Sequence, residues 1–303
     1  MSKERVAIIE VGPRDGLQNE PITVPTEVKL AFIKHLVDAG LKEIEATSFV
    51  SPKHIPQLAD ADALWPQLPV GPAYSALVAN EKGLERALEV GVKRIAVFTA
   101  ASSPFTERNI GMTIDESLVR FRSIISQFRA NGGQFVRGYI STAFECPYAG
   151  KIEPKSVIRV ASELFSMGVD EISLGDTIGT AVPVETKALL RDITGQFHPS
   201  KIACQFHDTN GTAIANVSES LNFGIRRFDS SAAGLGGCPY APGAGGNLAS
   251  DDLVYFLERS GFETGVNQSA LAQASLQLLS VLEKSVAAHA QLSALSRVSK
   301  TQS

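Results

Sequence analysis

The stretch AGLKEIE, residues 39–45, ends a helical pattern and begins a strand-like run, and the same phrase recurs along the chain. The recurrences are VGVKRIA (90–96), MGVDEIS (167–173) and FGIRRFD (223–229). In each, a Gly is followed by an apolar residue, two polar residues and a run of strand formers. Gly closes helices in the left-handed conformation, and the next residue packs against the helix end. This repeated helix-to-strand connector predicts a repeated βα unit.

Strand-like runs rich in apolar residues alternate with helical patterns along the chain. The runs are VAIIEVG (6–12), EIEATSF (43–49), YSALV (74–78), RIAVFTA (94–100), VRGYIST (136–142), EISLGDT (171–177), KIACQFHDT (201–209) and RFDSSAAGL (227–235). The helical patterns between them cover 26–39, 81–90, 115–130, 154–167, 183–196 and 212–223. Nearly continuous apolar runs are typical of parallel strands that helices cover on the outside.

Eight such runs with intervening helices predict an α/β protein with the TIM (β/α)8 barrel fold and additional C-terminal helices. A doubly wound open sheet is the alternative, but no GxGxxG motif opens the first helix. No linker interrupts the pattern, so we expect a single catalytic barrel domain over residues 1–303. Its glycine-rich active-site loop would span 234–247, and helices at 249–261 and 267–292 would occupy about 249–295.

The composition argues against several classes of protein. Of 303 residues, 44% are hydrophobic and 20% are charged, with a net charge of −4. No basic run is present, so we expect no nucleic-acid partner. The N-terminal sequence lacks a signal-peptide pattern and no apolar run approaches a membrane span, so we expect a cytoplasmic protein without membrane association. The cysteines, Cys146, Cys204 and Cys238, form no CxxC motif, which argues against a zinc knuckle or a disulfide framework.

Polar side chains gather at the carboxyl ends of the predicted strands, where barrels of this kind have their active sites. In chain order they are Arg14, Asp15, Glu45, Thr47, Ser48, Ser141, Thr142, Asp176, Thr177, Gln205, His207, Asp208, Asp229, Ser230 and Ser231. Acids and an imidazole at one rim are the oxygen-rich donor set that a hard divalent cation needs. Singly, each has a structural explanation, such as a turn for Asp15 or a helix cap for Asp176. Their joint occurrence favours a site.

The loop after the last predicted strand is the second feature that indicates a site. It reads AGLGGCPYAPGAGGNLASDD, residues 233–252. Glycine-rich backbone approaches a ligand closely and changes conformation readily. Cys238 in this loop is therefore a candidate lid residue, and Asn247 ends the glycine-rich part.

Several segments together resemble the 3-hydroxy-3-methylglutaryl-CoA lyase family of barrel-fold, metal-dependent lyases. They are VGPRDGLQNE (11–20), IEATSFVSPK (44–53), ECPYAGKI (145–152), ISLGDTIG (172–179), HDTNGTAIAN (207–216) and DSSAAGLGGCPYAPGAGGNLASDD (229–252). The likeness covers roughly residues 5–290, and motifs of this length are far more specific than a single short pattern. It implies a carbon–carbon lyase of leucine degradation that cleaves a 3-hydroxyacyl-CoA to acetyl-CoA and a keto acid, acetoacetate for the family substrate. It also implies a homodimer.

The resemblance further implies which residues form the site. A Mg²⁺ or Mn²⁺ ion would be held at Asp15, Gln205, His207 and Asn247. Catalytic roles would fall on Arg14, Glu45, Asp176 and Cys238. We expect substrate binding by Arg14, Ser141, Thr142, Gly236 and Gly237.

Gln205 departs from the family pattern, in which an HxH pair stands where this chain reads Gln205-Phe206-His207. A glutamine carbonyl can bind Mg²⁺, but the side chain does not titrate and carries no proton between groups. The alternatives are a lyase for a related substrate such as citramalyl-CoA, a weak lyase for the usual substrate, and an acyl-CoA-binding barrel without turnover. A condensing enzyme of the isopropylmalate synthase type is disfavoured, because those usually carry a further C-terminal domain.

Overall fold

The computed structural model describes residues 3–237 and 245–301, and within them eight parallel strands close into a barrel. The strands, β1 to β8 in chain order, are Ala7–Glu10, Glu43–Ser48, Ala73–Leu77, Arg94–Ala100, Phe135–Ser141, Glu171–Asp176, Ile202–Phe206 and Arg227–Ser230. Each strand pairs with the next, and β8 pairs with β1 to close the barrel. The predicted TIM (β/α)8 barrel is confirmed.

Helices alternate with the strands and cover the outside of the barrel. The α-helices are Thr26–Asp38, Ala61–Leu64, Glu81–Glu89, Ser103–Ile110, Ile114–Ala130, Pro154–Ser166, Pro183–Thr194, Ala213–Asn222, Ser250–Arg259, Gln268–Ala274, Leu276–Val281 and His289–Thr301. The connector glycines at 40, 91, 168 and 224 all have positive φ, between 78° and 103°. The connectors therefore form as the sequence predicts. None of the helices described is long and apolar enough to cross a membrane.

The C-terminal region differs from the prediction of one helix over 267–292. It contains the separate helices Gln268–Ala274, Leu276–Val281 and His289–Thr301. The backbone turns at Glu283, where φ is +55°. Gln291 joins the helix His289–Thr301 to the helix Gln268–Ala274, because its Nε2 donates to the carbonyl of Ala272 at 2.8 Å. The Ala- and Leu-rich composition favours helix throughout and hides this break.

The interior of the barrel carries charged side chains, whereas the layer between strands and helices is apolar. Arg137 on β5 donates to Asp229 on β8 across the barrel, with 2.6 Å between Nη2 and Oδ1. Its Nε lies 3.0 Å from Glu171 Oε1, and Arg227 joins Glu171 to Glu43. We call Arg137, Asp229, Glu171, Arg227 and Glu43 the barrel ion network. Losing one partner of such a buried pair costs about 3–5 kcal/mol, so the network fixes the strands beneath the rim.

Glu10 at the end of β1 connects the loops that follow β1 and β8. Its Oε1 accepts from the amides of Gly12 and Ala232 at 2.8 and 2.9 Å, and its Oε2 accepts from Ser250 Oγ at 2.6 Å. The side chain is fully buried. Burial raises the pKa of Glu10 from 4.5 to about 7.

This raised pKa gives stability a pH dependence that Glu10→Gln should remove. Folded Glu10 keeps its proton at a pH where the unfolded residue has lost it, so the free energy of unfolding falls as pH rises from about 4.5 to about 7. Between pH 5 and pH 8, we expect the unaltered protein to lose roughly 2–3 kcal/mol more unfolding free energy than the variant loses. Urea unfolding at both pH values measures this difference. Exposed Glu27→Gln is the control. An equal difference at both pH values would contradict the assignment.

Candidate active site

A cavity of about 740 Å³ opens at the carboxyl ends of the strands. Of the residues predicted for the site, those that line it are Arg14, Asp15, Ser141, Thr177, Gln205, His207 and Gly237. They come from the ends of β1, β5, β6 and β7 and from the loop after β8. The predicted convergence of separate strand ends on one rim is therefore seen among the described residues.

The turn after β1 places Arg14 and Asp15 at the cavity. Residues Gly12–Gly16 form one turn of π-helix, in which the carbonyl of Val11 accepts from the amides of Arg14, Asp15 and Gly16 at 2.7–3.1 Å. A Cβ at Gly12 would lie 2.5 Å from Glu10 Oε1, so a side chain would displace that carboxylate. Turns of this kind are rare and are frequent at functional sites.

Arg14 is held by two carboxylates and is 6% exposed. Its Nε donates to Glu45 Oε1, and its Nη1 donates to Asp15 Oδ1 at 2.7 Å. Nη2 makes no hydrogen bond to any of the described residues. Burial works to lower the pKa of Arg14, but the charges of Glu45 and Asp15 outweigh it and raise the pKa. The cavity therefore contains a permanent, oriented cation, and its Nη2 is available for a ligand as far as residues 3–237 and 245–301 are concerned.

Asp15, Gln205 and Asn247 form a tight polar cluster beside this cation. Asp15 Oδ2 accepts from Asn247 Nδ2 at 2.8 Å and from Gln205 Nε2 at 3.3 Å, and Gln205 Nε2 also donates to Asn247 Oδ1 at 2.7 Å. Burial works to raise the pKa of Asp15, but Arg14, His207 and the two amides outweigh it and lower the pKa. Asp15 is thus a carboxylate at neutral pH.

His207 completes the cluster and is buried, with 6% of its surface exposed. Its Nδ1 has no hydrogen-bond partner among the described residues. Burial lowers the pKa of His207, and the carboxylate of Asp15 opposes this only in part. A neutral imidazole with an unpartnered buried nitrogen is the form that binds a metal ion.

The end of the glycine-rich loop is fixed to β7, so Asn247 lies beside His207. The amide of Asp208 donates to the carbonyl of Gly246 at 3.0 Å, and the amide of Leu248 donates to that of Phe206 at 2.9 Å. A Cβ at Gly246 would lie 2.2 Å from the carbonyl oxygen of Gly234. Only glycine fits this approach, so position 246 requires glycine.

The cluster suits a divalent cation by its donor types. Within residues 3–237 and 245–301, no group of three or more His, Cys, Asp or Glu side chains is placed to share a metal ion. The cluster instead offers one carboxylate, one imidazole and the two amides of Gln205 and Asn247. Carboxylate and amide oxygens are the ligands that Mg²⁺ prefers, and the unpartnered nitrogen of His207 adds a fourth donor.

The carboxylate of Asp176 is hydrogen-bonded to the backbone of its own loop. Its carboxylate accepts from the amides of Thr180 and Ala181 at 3.1 and 3.2 Å and closes the turn after β6. Burial raises the pKa of Asp176 to about 7, although these amides oppose it. Asp176 is not among the residues that line the cavity, although its neighbours Gly175 and Thr177 are. Its catalytic role stays a prediction.

The remaining residues predicted for the site have different surroundings in the structure. Glu45 is fully buried behind Arg14. Thr142 is buried with φ of +52°, and its amide donates to Thr177 Oγ1 at 2.7 Å. Gly236 packs against Asn247, because a Cβ there would lie 2.7 Å from Nδ2. Cys238 lies outside the described residues, so its role stays a prediction.

Tyr139 and Asn19 also line the cavity, although neither was predicted from the sequence. The hydroxyl of Tyr139 donates to Glu45 Oε2 at 3.0 Å, and Asn19 Nδ2 donates to the carbonyl of Gly237 at 3.0 Å. The signal for Tyr139 was present, because it lies two residues before Ser141 on the same face of β5. Asn19 follows the turn after β1 and has no periodic pattern that would indicate its position.

Comparisons with known proteins agree on one family. A family model described as HMGL-like matches residues 5–277. The chain is 48% identical to the mitochondrial hydroxymethylglutaryl-CoA lyase of Bos taurus, over 93% of this chain and 87% of that protein.

Two solved structures support the same conclusion. The hydroxymethylglutaryl-CoA lyase of Pseudomonas aeruginosa is 45% identical and matches with a TM-score of 0.94, covering 97% of this chain and 99% of that one. An HMG-CoA lyase from Acinetobacter baumannii, in complex with coenzyme A and 3-methylmalate, is 36% identical and matches with a TM-score of 0.89, over 94% and 93% of the two chains.

Proposed function

The chain belongs to the HMGL-like family, and from this premise we propose that its cavity cleaves 3-hydroxy-3-methylglutaryl-CoA to acetyl-CoA and acetoacetate. The prediction of a carbon–carbon lyase is confirmed by the hydroxymethylglutaryl-CoA lyases among its relatives. The observation that carries the proposal is the cluster of Asp15, Gln205, His207 and Asn247 beside the free nitrogen of Arg14. An acyl-CoA substrate is supported by the coenzyme A complex of the Acinetobacter relative.

The reaction breaks the bond between the tertiary alcohol carbon and the α-carbon of the thioester. The alcohol loses its proton and becomes a ketone, and the bonding electrons pass to the enolate of acetyl-CoA. A proton then returns to the enolate carbon. The protein must therefore stabilise the developing oxyanion, remove one proton and supply another.

Arg14 is suited to the oxyanion. Its guanidinium remains charged, and Glu45 and Asp15 fix its plane, so that Nη2 is presented to the cavity without a protein partner among the described residues. Donors that are already oriented towards developing charge stabilise a transition state without reorganisation. The hydrogen bonds that Arg14 makes to the two carboxylates thus determine where the enolate oxygen would lie.

The family is dependent on a divalent metal, and we propose Mg²⁺ or Mn²⁺ for this chain. Asp15, His207 and Asn247 would hold the ion. Gln205, whose Nε2 now donates to Asp15 and Asn247, would turn its carbonyl inward to serve as a fourth ligand. When bound, such an ion lowers the pKa of the substrate hydroxyl and orients it. Gln205 itself has no proton to exchange, so the group that accepts the hydroxyl proton lies elsewhere in the site.

The proposal is tested by turnover of purified protein with Mg²⁺ or Mn²⁺ and, in parallel, with EDTA. The substrates would be 3-hydroxy-3-methylglutaryl-CoA, citramalyl-CoA and longer 3-alkyl analogues, and release of acetyl-CoA would be measured. We expect metal-dependent cleavage, fastest with the first substrate. No acetyl-CoA from any substrate would refute the lyase and favour an acyl-CoA-binding barrel.

Arg14→Lys should lower kcat roughly 100-fold, because lysine keeps the charge but lacks the planar fork that Glu45 and Asp15 orient. The measurement is steady-state kinetics with the best substrate. Arg191→Lys, at an exposed side chain, is the control for the same substitution. An unchanged kcat would mean that Arg14 does not contact the reacting atoms.

We also propose that the protein forms a homodimer through its C-terminal helices. Leu276 and Leu292 in this region are 38% and 47% exposed, and Tyr255 on the helix Ser250–Arg259 is 45% exposed. Light scattering after gel filtration measures the molar mass in solution, which would be twice that of one chain for a dimer. The single catalytic domain and the cytoplasmic location stay predictions, which limited proteolysis and cell fractionation would test.

A further inference from the structure

Glu45 forms two different hydrogen bonds, one with each oxygen of its carboxylate. Oε1 accepts from Nε of Arg14, and Oε2 accepts from the hydroxyl of Tyr139 at 3.0 Å. Glu45 is fully buried, so water does not replace either partner. The orientation of the carboxylate, and with it the plane of the guanidinium, depends on both contacts.

Tyr139 is in turn held from beneath by the barrel ion network. Arg137 Nη1 lies 3.5 Å from the Tyr139 hydroxyl, and its Cζ lies 5.1 Å from the ring centroid. The same Arg137 donates to Asp229, whose other oxygen accepts from Ser173 Oγ at 2.8 Å. The ring therefore has little freedom, since its neighbours are buried and paired. Arg14 also contacts the ring, with Cζ 5.3 Å from the centroid.

From these contacts we propose that Tyr139 is a positioning residue for the lyase reaction: its hydroxyl fixes Glu45, and Glu45 fixes Arg14 with Nη2 towards the substrate. The inference rests on the proposed function of Arg14. It also explains why a charged network lies beneath the active site. The network contacts Tyr139, Tyr139 contacts Glu45, and Glu45 contacts Arg14, so the network restricts the movement of Arg14.

Tyr139→Phe tests the proposal because it removes the hydroxyl and keeps the ring. Without the hydroxyl, Oε2 of Glu45 loses its partner and Arg14 loses its fixed plane. We expect kcat to fall about 10-fold while KM changes less than about 2-fold. Tyr74→Phe is the matched control, because the Tyr74 hydroxyl is buried without a hydrogen-bond partner among the described residues.

A double-mutant cycle separates positioning from direct contact with substrate. Lysine at position 14 has no plane to orient, so Tyr139→Phe should cost less than about 2-fold in kcat when added to Arg14→Lys. If the hydroxyl contacts the substrate directly, the two losses should multiply. A multiplied loss, or a loss carried by KM, would overturn the proposal.

A crystal structure of the Tyr139→Phe variant provides a readout that does not depend on turnover. We expect the hydrogen bond between Arg14 Nε and Glu45 to be broken or redirected. An Arg14 side chain in its original position would overturn the positioning role. If the unaltered protein shows no lyase activity, the proposed function fails, but this structure still decides whether Tyr139 orients Arg14.

Discussion

Asp15→Asn is expected to weaken Mn²⁺ binding at least about 100-fold and to lower kcat/KM roughly 1,000-fold. Asp15 is the one carboxylate in the cluster, where the other donors are an imidazole and two amides. It is also a hydrogen-bond partner of Arg14. A neutral side chain of the same shape therefore removes the negative charge that attracts the cation and loosens the guanidinium together.

Titration calorimetry with Mn²⁺ measures the first effect and steady-state kinetics measures the second. Asp192→Asn makes the same chemical change at a surface ion pair with Arg191, away from the cavity, and should alter neither. Circular dichroism would verify that the variants are folded. Unchanged Mn²⁺ affinity in Asp15→Asn would place the metal site elsewhere.

Gln205→His is expected to raise kcat/KM for 3-hydroxy-3-methylglutaryl-CoA roughly 100-fold. An imidazole at this position restores the HxH pair with His207 and adds a group that accepts and returns a proton near neutral pH. General acid–base catalysis of this kind contributes about 10²–10⁴-fold. The site has the right neighbours, because Gln205 Nε2 lies 2.7 Å from Asn247 Oδ1 and 3.3 Å from Asp15 Oδ2.

The control is Gln205→Asn, which keeps an amide and adds no proton carrier, so it should not raise activity. The pH dependence of kcat in Gln205→His should also show an additional ionisation that the unaltered protein lacks. If Gln205→His is no faster than the unaltered protein, position 205 is not where the chain lost its proton carrier. The proton-accepting group elsewhere in the site would then already be as effective as an imidazole at position 205.

The fold was readable from the sequence because its repeat is local. Each connector glycine, such as Gly40, sits a few residues before its strand, and a short phrase is enough to mark the change of structure. The site residues at strand ends were also predictable from the sequence. Once the strands are recognised, a barrel brings all of their carboxyl ends to one rim. Arg14, Asp15, Gln205 and His207 converge there among the described residues.

What the sequence did not predict depends on contacts between distant elements. The hydrogen bond of Tyr139 to Glu45 joins residues 94 positions apart, and that of Arg137 to Asp229 joins residues 92 apart. The direction of a side chain at a strand end is also not local. Asp176 follows the same pattern as the site residues, but its carboxylate turns to the backbone of its own loop.

The barrel ion network also restricts how the chain can diverge. Losing Arg137 or Asp229 alone would leave a buried charge without its partner, at a cost of about 3–5 kcal/mol. That is a large share of the roughly 5–15 kcal/mol by which a domain is stable. Replacing both with apolar residues in one event avoids this penalty, because Glu171 keeps its ion pair with Arg227. Substitutions at positions 137 and 229 should therefore occur together in related proteins. Few related proteins should carry a substitution at only one of the two positions.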